Sequence, residues 1–124
     1  MILGTGIDIV EINRFKEIEN LKGIAKKILH TNELEEFNKK VKDQPLFLAK
    51  KFAFKEAFVK AIGTGFREPY YLNRIEIIKD KLGKPSVVTH GEAKEEFKNL
   101  GITKAHVSLS DTENYVVAFV VLER

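Results

Sequence analysis

The chain has 124 residues, of which 44% are hydrophobic and 31% charged, which predicts one folded domain over residues 1–124 and excludes a disordered or fibrous protein. It contains no cysteine, which excludes disulfides and thiolate metal sites, and it shows no secretory leader pattern, so we expect a cytoplasmic location. The net charge of +3 permits an acidic partner without selecting one, and no apolar run reaches the roughly 20 residues that cross a bilayer.

The first part of the chain predicts one strand followed by short helices. Branched apolar residues dominate residues 2–10, which favours a strand. Apolar residues at near-helical spacing predict helices over 11–20 and 22–29. Asn32 followed by Glu35 fits a capping box, which predicts that a third helix begins there.

The third helix is predicted to present an apolar face that ends at Val41. Pro45 then suits the first turn of the longest helix, over about 45–62. Gly63 and Gly65 follow it and predict its end, because glycine adopts the left-handed conformation that closes a helix.

The last part of the chain predicts strands around one more helix. Residues 72–78 and 86–89 indicate two strands joined by a turn. Thr89 with Glu92 fits a capping box, which predicts a helix running to about residue 100. Two further strands are predicted over 104–110 and 115–122, the second apolar throughout and therefore central in its sheet. These elements predict an α+β fold, with helices packed on a small, mostly antiparallel sheet.

Asp8 interrupts the apolar first strand. Because side chains alternate along a strand, its carboxylate points away from the face of Ile7 and Ile9. If its own face is covered, an unpaired charge there costs several kcal/mol and requires a partner. An exposed strand residue or an ordinary salt bridge to Lys or Arg is the more ordinary explanation of Asp8, so these residues alone do not assign it a function.

The longest helix is apolar on several sides, which indicates burial on several sides. At about 3.6 residues per turn, one of its stripes holds Ala49, Ala53, Glu56 and Lys60. The alanines leave space for a ligand, although Glu56 and Lys60 also fit an ordinary ion pair. If Asp8 approaches Glu56, the two carboxylates repel unless a proton or a cation separates them. Two oxygen ligands favour Mg²⁺, which commonly completes its coordination with phosphates.

Three other segments carry groups that can bind phosphate. Alternation places His106, Ser108 and Ser110 on one strand face, where a polar row facing solvent is the more ordinary explanation. Gly63-Thr64-Gly65 and Gly83-Lys84-Pro85 are first of all turns, whose amides or lysine can also contact a ligand. Neither turn matches a P-loop or a dinucleotide-binding fingerprint.

The order of these segments is more specific than any one of them. The segments are GTGIDIVEINRF (4–15), FAFKEAFVKAIGTG (52–65), GKP (83–85) and HVSLS (106–110). This series spans nearly the whole chain and resembles the holo-[acyl-carrier-protein] synthases, a family of the 4′-phosphopantetheinyl transferase superfamily. The first two motifs are the specific ones.

The resemblance implies the 4′-phosphopantetheinyl transferase fold and a reaction. In that reaction the 4′-phosphopantetheine arm of coenzyme A passes to a serine of apo-acyl carrier protein, and adenosine 3′,5′-bisphosphate leaves. Mg²⁺ is implied, held by Asp8 and Glu56, together with a homotrimer that binds coenzyme A between subunits. Lys60 is expected to contact the leaving phosphate as the third catalytic residue. The acceptor of the serine proton stays open between a water molecule and a side chain such as Glu56.

The same resemblance assigns the remaining contacts. Coenzyme A is expected to touch Lys60, Gly63, Gly65, Lys84, Pro85, His106 and Ser108. Arg14, on the first helix, is expected to contact the acidic carrier protein. The chain departs from the family at Asp111, where histidine is frequent, and this removes a possible cation near the ligand.

Two other classes of function are compatible with parts of the sequence. The basic excess suits a nucleic-acid-binding module, but the strand with Tyr115 and Phe119 lacks the interleaved basic residues that such a module needs. The apolar final strand suits an oligomerising protein without activity. Such a protein gains nothing from buried carboxylates at Asp8 and Glu56. We therefore expect a transferase that binds neither nucleic acid nor membrane.

Overall fold

The computed structural model describes residues 1–40 and 42–124, so the predicted helix face that ends at Val41 extends beyond the described residues. The strands are β1 (Ile2–Glu11), β2 (Ile75–Lys79), β3 (Pro85–Thr89), β4 (Lys104–Asp111) and β5 (Tyr115–Glu123). The helices are α1 (Asn13–Lys16), α2 (Leu21–Ile28), α3 (Thr31–Lys39), α4 (Gln44–Ile62) and α5 (Glu92–Asn99). The α+β prediction is confirmed.

The strands form a three-stranded sheet in the order β1-β5-β4 and a two-stranded hairpin of β2 and β3. Every pairing is antiparallel. β5 is central, as its apolar run predicted, and its alternate residues Val116, Ala118, Val120 and Leu122 are fully buried. These residues define the inner face of the three-stranded sheet, and the opposite side is its outer face.

Helix α4 covers the inner face and packs against β1 and β5. Its predicted bounds are confirmed to within one residue: Pro45 lies in the first turn, and Gly63 closes the helix with a φ of 92°. Phe47, Phe54 and Phe58 are buried on it. Across the part of the chain that the structure describes, no helix is both long and apolar enough to cross a membrane.

Two predicted boundaries are wrong for a physical reason. The helix predicted over 11–20 shrinks to α1, because β1 continues to Glu11 through its pairing with Tyr115. The strand predicted from residue 72 begins at Ile75, because Leu72–Arg74 form a 3-10 turn first.

Both predicted capping boxes are also wrong. The box at the start of α3 uses His30 and Glu33, two residues before the predicted pair: His30 Nδ1 accepts from the Asn32 amide at 3.3 Å, and Glu33 accepts from the His30 amide at 3.0 Å. Helix α5 follows Gly91, at a φ of 62°, instead of Thr89. Thr89 is unavailable as a cap because it is the last residue of β3, paired with Ile75.

Candidate functional site

Glycines in β1 allow α4 to approach the sheet closely. A Cβ atom on Gly4 would overlap the carbonyl oxygen of Ala61, and one on Gly6 would overlap that of Ala57. Two residues of strand advance about 6.6 Å and four residues of helix about 6 Å, so the glycine spacing in β1 matches the alanine spacing in α4. The sequence thereby sets the position of α4 along β1.

Asp8 is the next residue of β1 that points inward beyond Gly6, and it meets a lysine from α4. The Lys60 ammonium donates to Asp8 Oδ1 at 3.0 Å and to the Ile7 carbonyl oxygen at 3.1 Å. The Asp8 side chain is 14% exposed and that of Lys60 51% exposed. The pair therefore lies at the edge of the helix–sheet interface, with one side open to solvent.

Glu56 lies one turn before Lys60 on α4 and is half-buried. Burial and the charge of Asp8 raise the pKa of the Glu56 carboxyl, and the charges of Lys60 and Arg14 oppose this. Asp8 is thus close enough to Glu56 for the two carboxylates to repel. The structure brings Asp8, Glu56 and Lys60 together, and we call these three residues the acid–lysine site.

The acid–lysine site has the chemistry of a site for a hard cation with a phosphate ligand. Burial and the repulsion from Asp8 raise the pKa of Glu56, and a divalent ion between the two carboxylates relieves that repulsion. The donors are oxygens, which suit Mg²⁺. The exposed Lys60 ammonium adds a positive charge next to that position, where it can meet an anionic ligand.

Arg14 flanks the acid–lysine site from α1. Its guanidinium lies 5.8 Å from the centre of the Phe52 ring. Its positive charge opposes the rise in the pKa of the Glu56 carboxyl. The Phe15 ring packs 5.6 Å from the same Phe52 ring, which fixes α1 against α4. The exposed guanidinium of Arg14 therefore lies at the rim of the acid–lysine site.

His106 and Ser108 are not part of this cluster within one chain. They lie on the outer face of β4, whereas Asp8 points from the inner face of β1, and β5 separates the two strands. His106 Nε2 instead lies 2.7 Å from Glu123 Oε1, with both side chains exposed. A ligand that touches both sets of residues cannot do so through the sheet of a single chain.

The predicted glycine and proline contacts also divide between two places. Gly63 and Gly65 follow α4 with φ values of 92° and 67°, three and five residues beyond Lys60. Lys84 is exposed in the turn between β2 and β3, and Pro85 starts β3. The first pair lies close in sequence to the acid–lysine site, and the second pair belongs to the hairpin.

A groove of about 680 Å³ runs beside the hairpin. We call it the hairpin groove; its lining includes Lys50, Lys51, Lys79, Gly83, Pro85 and Ser108. Pro85 and Ser108 both line this groove, which the sequence could not show. Lys50 and Lys51, a lysine pair inside an apolar helix, line the same groove and were not among the predicted site residues.

Asp111, the departure from the family pattern, has a partner in this region. Its carboxylate lies 3.7 Å from the Lys50 ammonium, and both side chains are partly exposed. The negative charge at this position thus offsets a cation that lines the hairpin groove.

Comparison with known proteins identifies the family of this chain. Residues 4–120 match the 4′-phosphopantetheinyl transferase superfamily. The holo-[acyl-carrier-protein] synthase of Photorhabdus laumondii is 43% identical over 126 residues, which cover 99% of this chain and 98% of that protein.

Solved structures give the same result. The holo-[acyl-carrier-protein] synthase (AcpS) of Neisseria meningitidis superposes with a TM-score of 0.92 at 39% identity, covering 100% of both chains. That of Bacillus anthracis, in complex with CoA (3′,5′-ADP), has a TM-score of 0.81 at 36% identity and covers 99% of this chain and 97% of its own. Fold, motifs and relatives agree over nearly the full length, and the chain belongs to the 4′-phosphopantetheinyl transferase superfamily.

Proposed function

We propose that this protein is a holo-[acyl-carrier-protein] synthase, which moves 4′-phosphopantetheine from coenzyme A to a serine of apo-acyl carrier protein in the cytoplasm. The observation that carries the proposal is the meeting of Asp8, Glu56 and Lys60 at one open edge of the helix–sheet interface. Full-length relatives named for this activity support it. So does a relative solved with CoA (3′,5′-ADP).

Asp8 and Glu56 are the residues that would hold Mg²⁺. Their fit rests on the mutual repulsion of the two carboxylates, which a cation relieves. When bound, Mg²⁺ supplies charge neutralisation for the diphosphate of coenzyme A and for the leaving phosphate.

The chain's own residues then supply positioning and proton transfer. The serine oxygen attacks the phosphorus that bears pantetheine, and the bond from that phosphorus to the oxygen of the leaving adenosine 3′,5′-bisphosphate breaks. The Lys60 ammonium, held by Asp8 Oδ1, offsets the charge that develops on that oxygen. The serine proton passes to a water molecule in the site or to a side chain such as Glu56.

Arg14 is proposed to contact the carrier protein. It is exposed on α1 at the rim of the acid–lysine site. A cation at this position attracts an acidic partner and orients its serine toward the site.

The outer face of the sheet is proposed to bind further copies of this chain, giving a homotrimer with coenzyme A between subunits. It exposes a contiguous apolar surface: Ile7 is 59% exposed, Ile9 63% and Phe119 44%, and Phe119 pairs with Ile7 across the sheet. His106 and Ser108 lie on the same face. In such an assembly, the His106 face of one protomer can lie next to the acid–lysine site of another. We propose that the remaining coenzyme A contacts are made by Gly63, Gly65, Lys84 and Pro85.

A transfer assay tests the proposed activity. With coenzyme A and Mg²⁺, we expect the mass of an apo-acyl carrier protein to increase by one phosphopantetheine arm, with an equal yield of adenosine 3′,5′-bisphosphate. Asp8→Ala should slow the transfer by about 100-fold or more, since a metal clamp contributes several kcal/mol at the transition state. Glu95→Ala, an exposed acid on α5, is the matched control. Transfer at the normal rate by Asp8→Ala contradicts the proposed site.

A complementation experiment tests the shared site. Asp8→Ala and His106→Ala are co-expressed with different tags, and mixed oligomers are isolated. If one protomer supplies Asp8 and its neighbour His106, the mixture regains activity that neither variant has alone. No gain in the mixed species, or a monomer by analytical ultracentrifugation, contradicts the arrangement.

A further inference from the structure

Three side chains converge away from the acid–lysine site, where the link between α2 and α3 meets β2 and the end of β3. They are His30, Glu76 and His90, whose ligand-type atoms all lie within 4.8 Å of one another. The buried Glu76 carboxylate is at the centre: its Oε1 lies 2.9 Å from His90 Nε2 and 3.6 Å from His30 Nδ1. We call this group the histidine cluster.

The lone pairs that face each other in the histidine cluster favour a bound cation. His30 Nδ1 accepts from the Asn32 amide, so this nitrogen carries a lone pair. The same nitrogen faces Glu76 Oε1, a second acceptor, at 3.6 Å. Two acceptors that face each other are stabilised when a cation lies between them. The other carboxylate oxygen, Oε2, accepts from the Asn32 side chain at 3.2 Å, which holds the glutamate in position.

The donor set selects the kind of ion. Two imidazole nitrogens and one carboxylate oxygen suit Zn²⁺ and similar transition metals, whereas Mg²⁺ prefers oxygen ligands alone. We propose that His30, Glu76 and His90 form a second metal site, which binds Zn²⁺ through two nitrogens and one oxygen and leaves a fourth position for water. It differs in chemistry from the acid–lysine site, whose donors are oxygens.

Ion binding requires a small rearrangement of the rings. The imidazoles of His30 and His90 are stacked, with centres 4.0 Å apart and planes at 11°. Lone pairs in nearly parallel planes do not converge, so each ring has to rotate about its side-chain bonds. Both residues are partly exposed, which leaves space for this rotation. Binding replaces the long 3.3 Å contact from Asn32 to His30 and the 2.9 Å hydrogen bond between His90 Nε2 and Glu76. The proton of that second bond is released when the ion binds.

The consequence of binding is a cross-link between distant parts of the chain. His30 precedes α3, Glu76 lies on β2, and His90 lies between β3 and α5. An ion bound by all three joins these elements and stabilises the folded state, because the three ligands are not assembled in the unfolded chain.

Co²⁺ is the probe, since it replaces Zn²⁺ and its absorption reports coordination. The full chain is prepared without a polyhistidine tag, and excess Mg²⁺ occupies the oxygen site. We expect one equivalent of Co²⁺ to give the visible bands of four-coordinate geometry, Zn²⁺ to displace it, and Zn²⁺ to raise Tm.

Three variants make the test specific. His30→Asn removes an imidazole and keeps a residue favoured as a helix cap, and His90→Gln keeps a hydrogen-bond donor for Glu76. Each should weaken Co²⁺ binding by at least about tenfold, as even partners outside the coordination shell contribute about 10–100-fold. His106→Ala removes the third histidine of the chain, on β4, and should bind Co²⁺ normally. Absence of a one-to-one Co²⁺ complex overturns the proposal, as does binding that survives in both cluster variants or is lost in His106→Ala.

Discussion

Helix α4 carries a lysine–carboxylate pair on each of two sides, and the two differ in almost every respect. On the sheet edge, Lys60 meets Asp8 at 3.0 Å with the lysine 51% exposed. On the opposite side, Lys55 meets Glu33 of α3 at 2.6 Å, and the two side chains are 0% and 2% exposed. The same pair of residue types thus serves an open site and a closed one.

The closed pair is satisfied by its surroundings. Lys55 also donates to the Ile28 carbonyl oxygen at 2.7 Å, and Glu33 accepts from the backbone amides of His30 and Ile77. The open pair is not, because Asp8 and Glu56 repel each other despite the nearby charges of Lys60 and Arg14. A buried ion pair persists when its hydrogen bonds are complete, whereas unrelieved repulsion indicates that another charged group belongs in the site.

The largest expected effect comes from a substitution that breaks the closed pair. Lys55→Met should lower the free energy of unfolding by about 3–5 kcal/mol, because it leaves Glu33 buried without its main counter-ion. Lys50→Met is the matched control from the same helix; its partly exposed pair with Asp111 should contribute less than about 1 kcal/mol. Urea denaturation measures both. Equal losses from the two variants would remove the distinction between closed and open pairs.

The next effect comes from the contact that assembles the open site. Gly6→Ala should destabilise the protein by about 1–3 kcal/mol or more, because the added methyl group meets the Ala57 carbonyl oxygen. The displacement of α4 should also separate Lys60 from Asp8 and reduce activity. Thr5→Ala, at the neighbouring position on the outer face, is the control. Thermal melts and the transfer assay follow the two effects; unchanged melting of Gly6→Ala contradicts the close approach.

The closed pair also predicts a dependence on pH. Burial lowers the pKa of Lys55 from 10.5 to about 8, so between these values the unfolded chain holds more protons than the folded one. The Lys55 contribution to the free energy of unfolding therefore rises with pH, by at most about 1.4 kcal/mol per unit.

The comparison of wild type with Lys55→Met at pH 8, 9 and 10 measures this slope. Staying at or below pH 10 limits interference from Tyr70, because burial raises the pKa of its hydroxyl to about 12. The slope should be steeper in the wild type. Parallel slopes contradict the lowered pKa.

The smallest expected effect of a substitution is a gain in stability, whereas the two substitutions above lower it. Glu56→Gln should raise the free energy of unfolding in the absence of metal by roughly 0.5 kcal/mol, a small value because solvent screens a partly exposed group. The gain arises because the change removes a partly buried charge and its repulsion with Asp8. Glu95→Gln on α5 is the control, and urea denaturation is the measurement. A loss of stability in Glu56→Gln would show that Glu56 stabilises the fold. The open site would then no longer differ from the closed pair in this respect.

The sequence predicted the helices and strands around the site better than the side-chain contacts within the site. Pro45 and Gly63 marked α4 to within one residue, because both act through local backbone conformation. The meeting of Asp8 with Glu56 and Lys60 was a hypothesis, since it depends on how closely a helix approaches a strand 48 positions away in the chain. The glycines that permit this approach were visible, but their alanine partners became apparent only in the structure.

Other features were beyond sequence reasoning. Lys55 adjoins Glu56 but points to the other side of α4, and its burial depends on Glu33 from a separate helix. His30 acts as a helix cap although histidine is not among the preferred capping residues. The separation of His106 from Asp8 requires knowing that β5 lies between their strands.

The matched spacing of β1 and α4 makes chain length at this point as critical as the identity of Gly4, Gly6 and Asp8. Side chains alternate along a strand, so deletion of one residue between Gly6 and Asp8 would turn the carboxylate toward the outer face. One added residue in α4 between Ala57 and Lys60 would swing the ammonium by about 100° around the helix axis. In homologues we therefore expect insertions and deletions to be confined to the loops outside these segments.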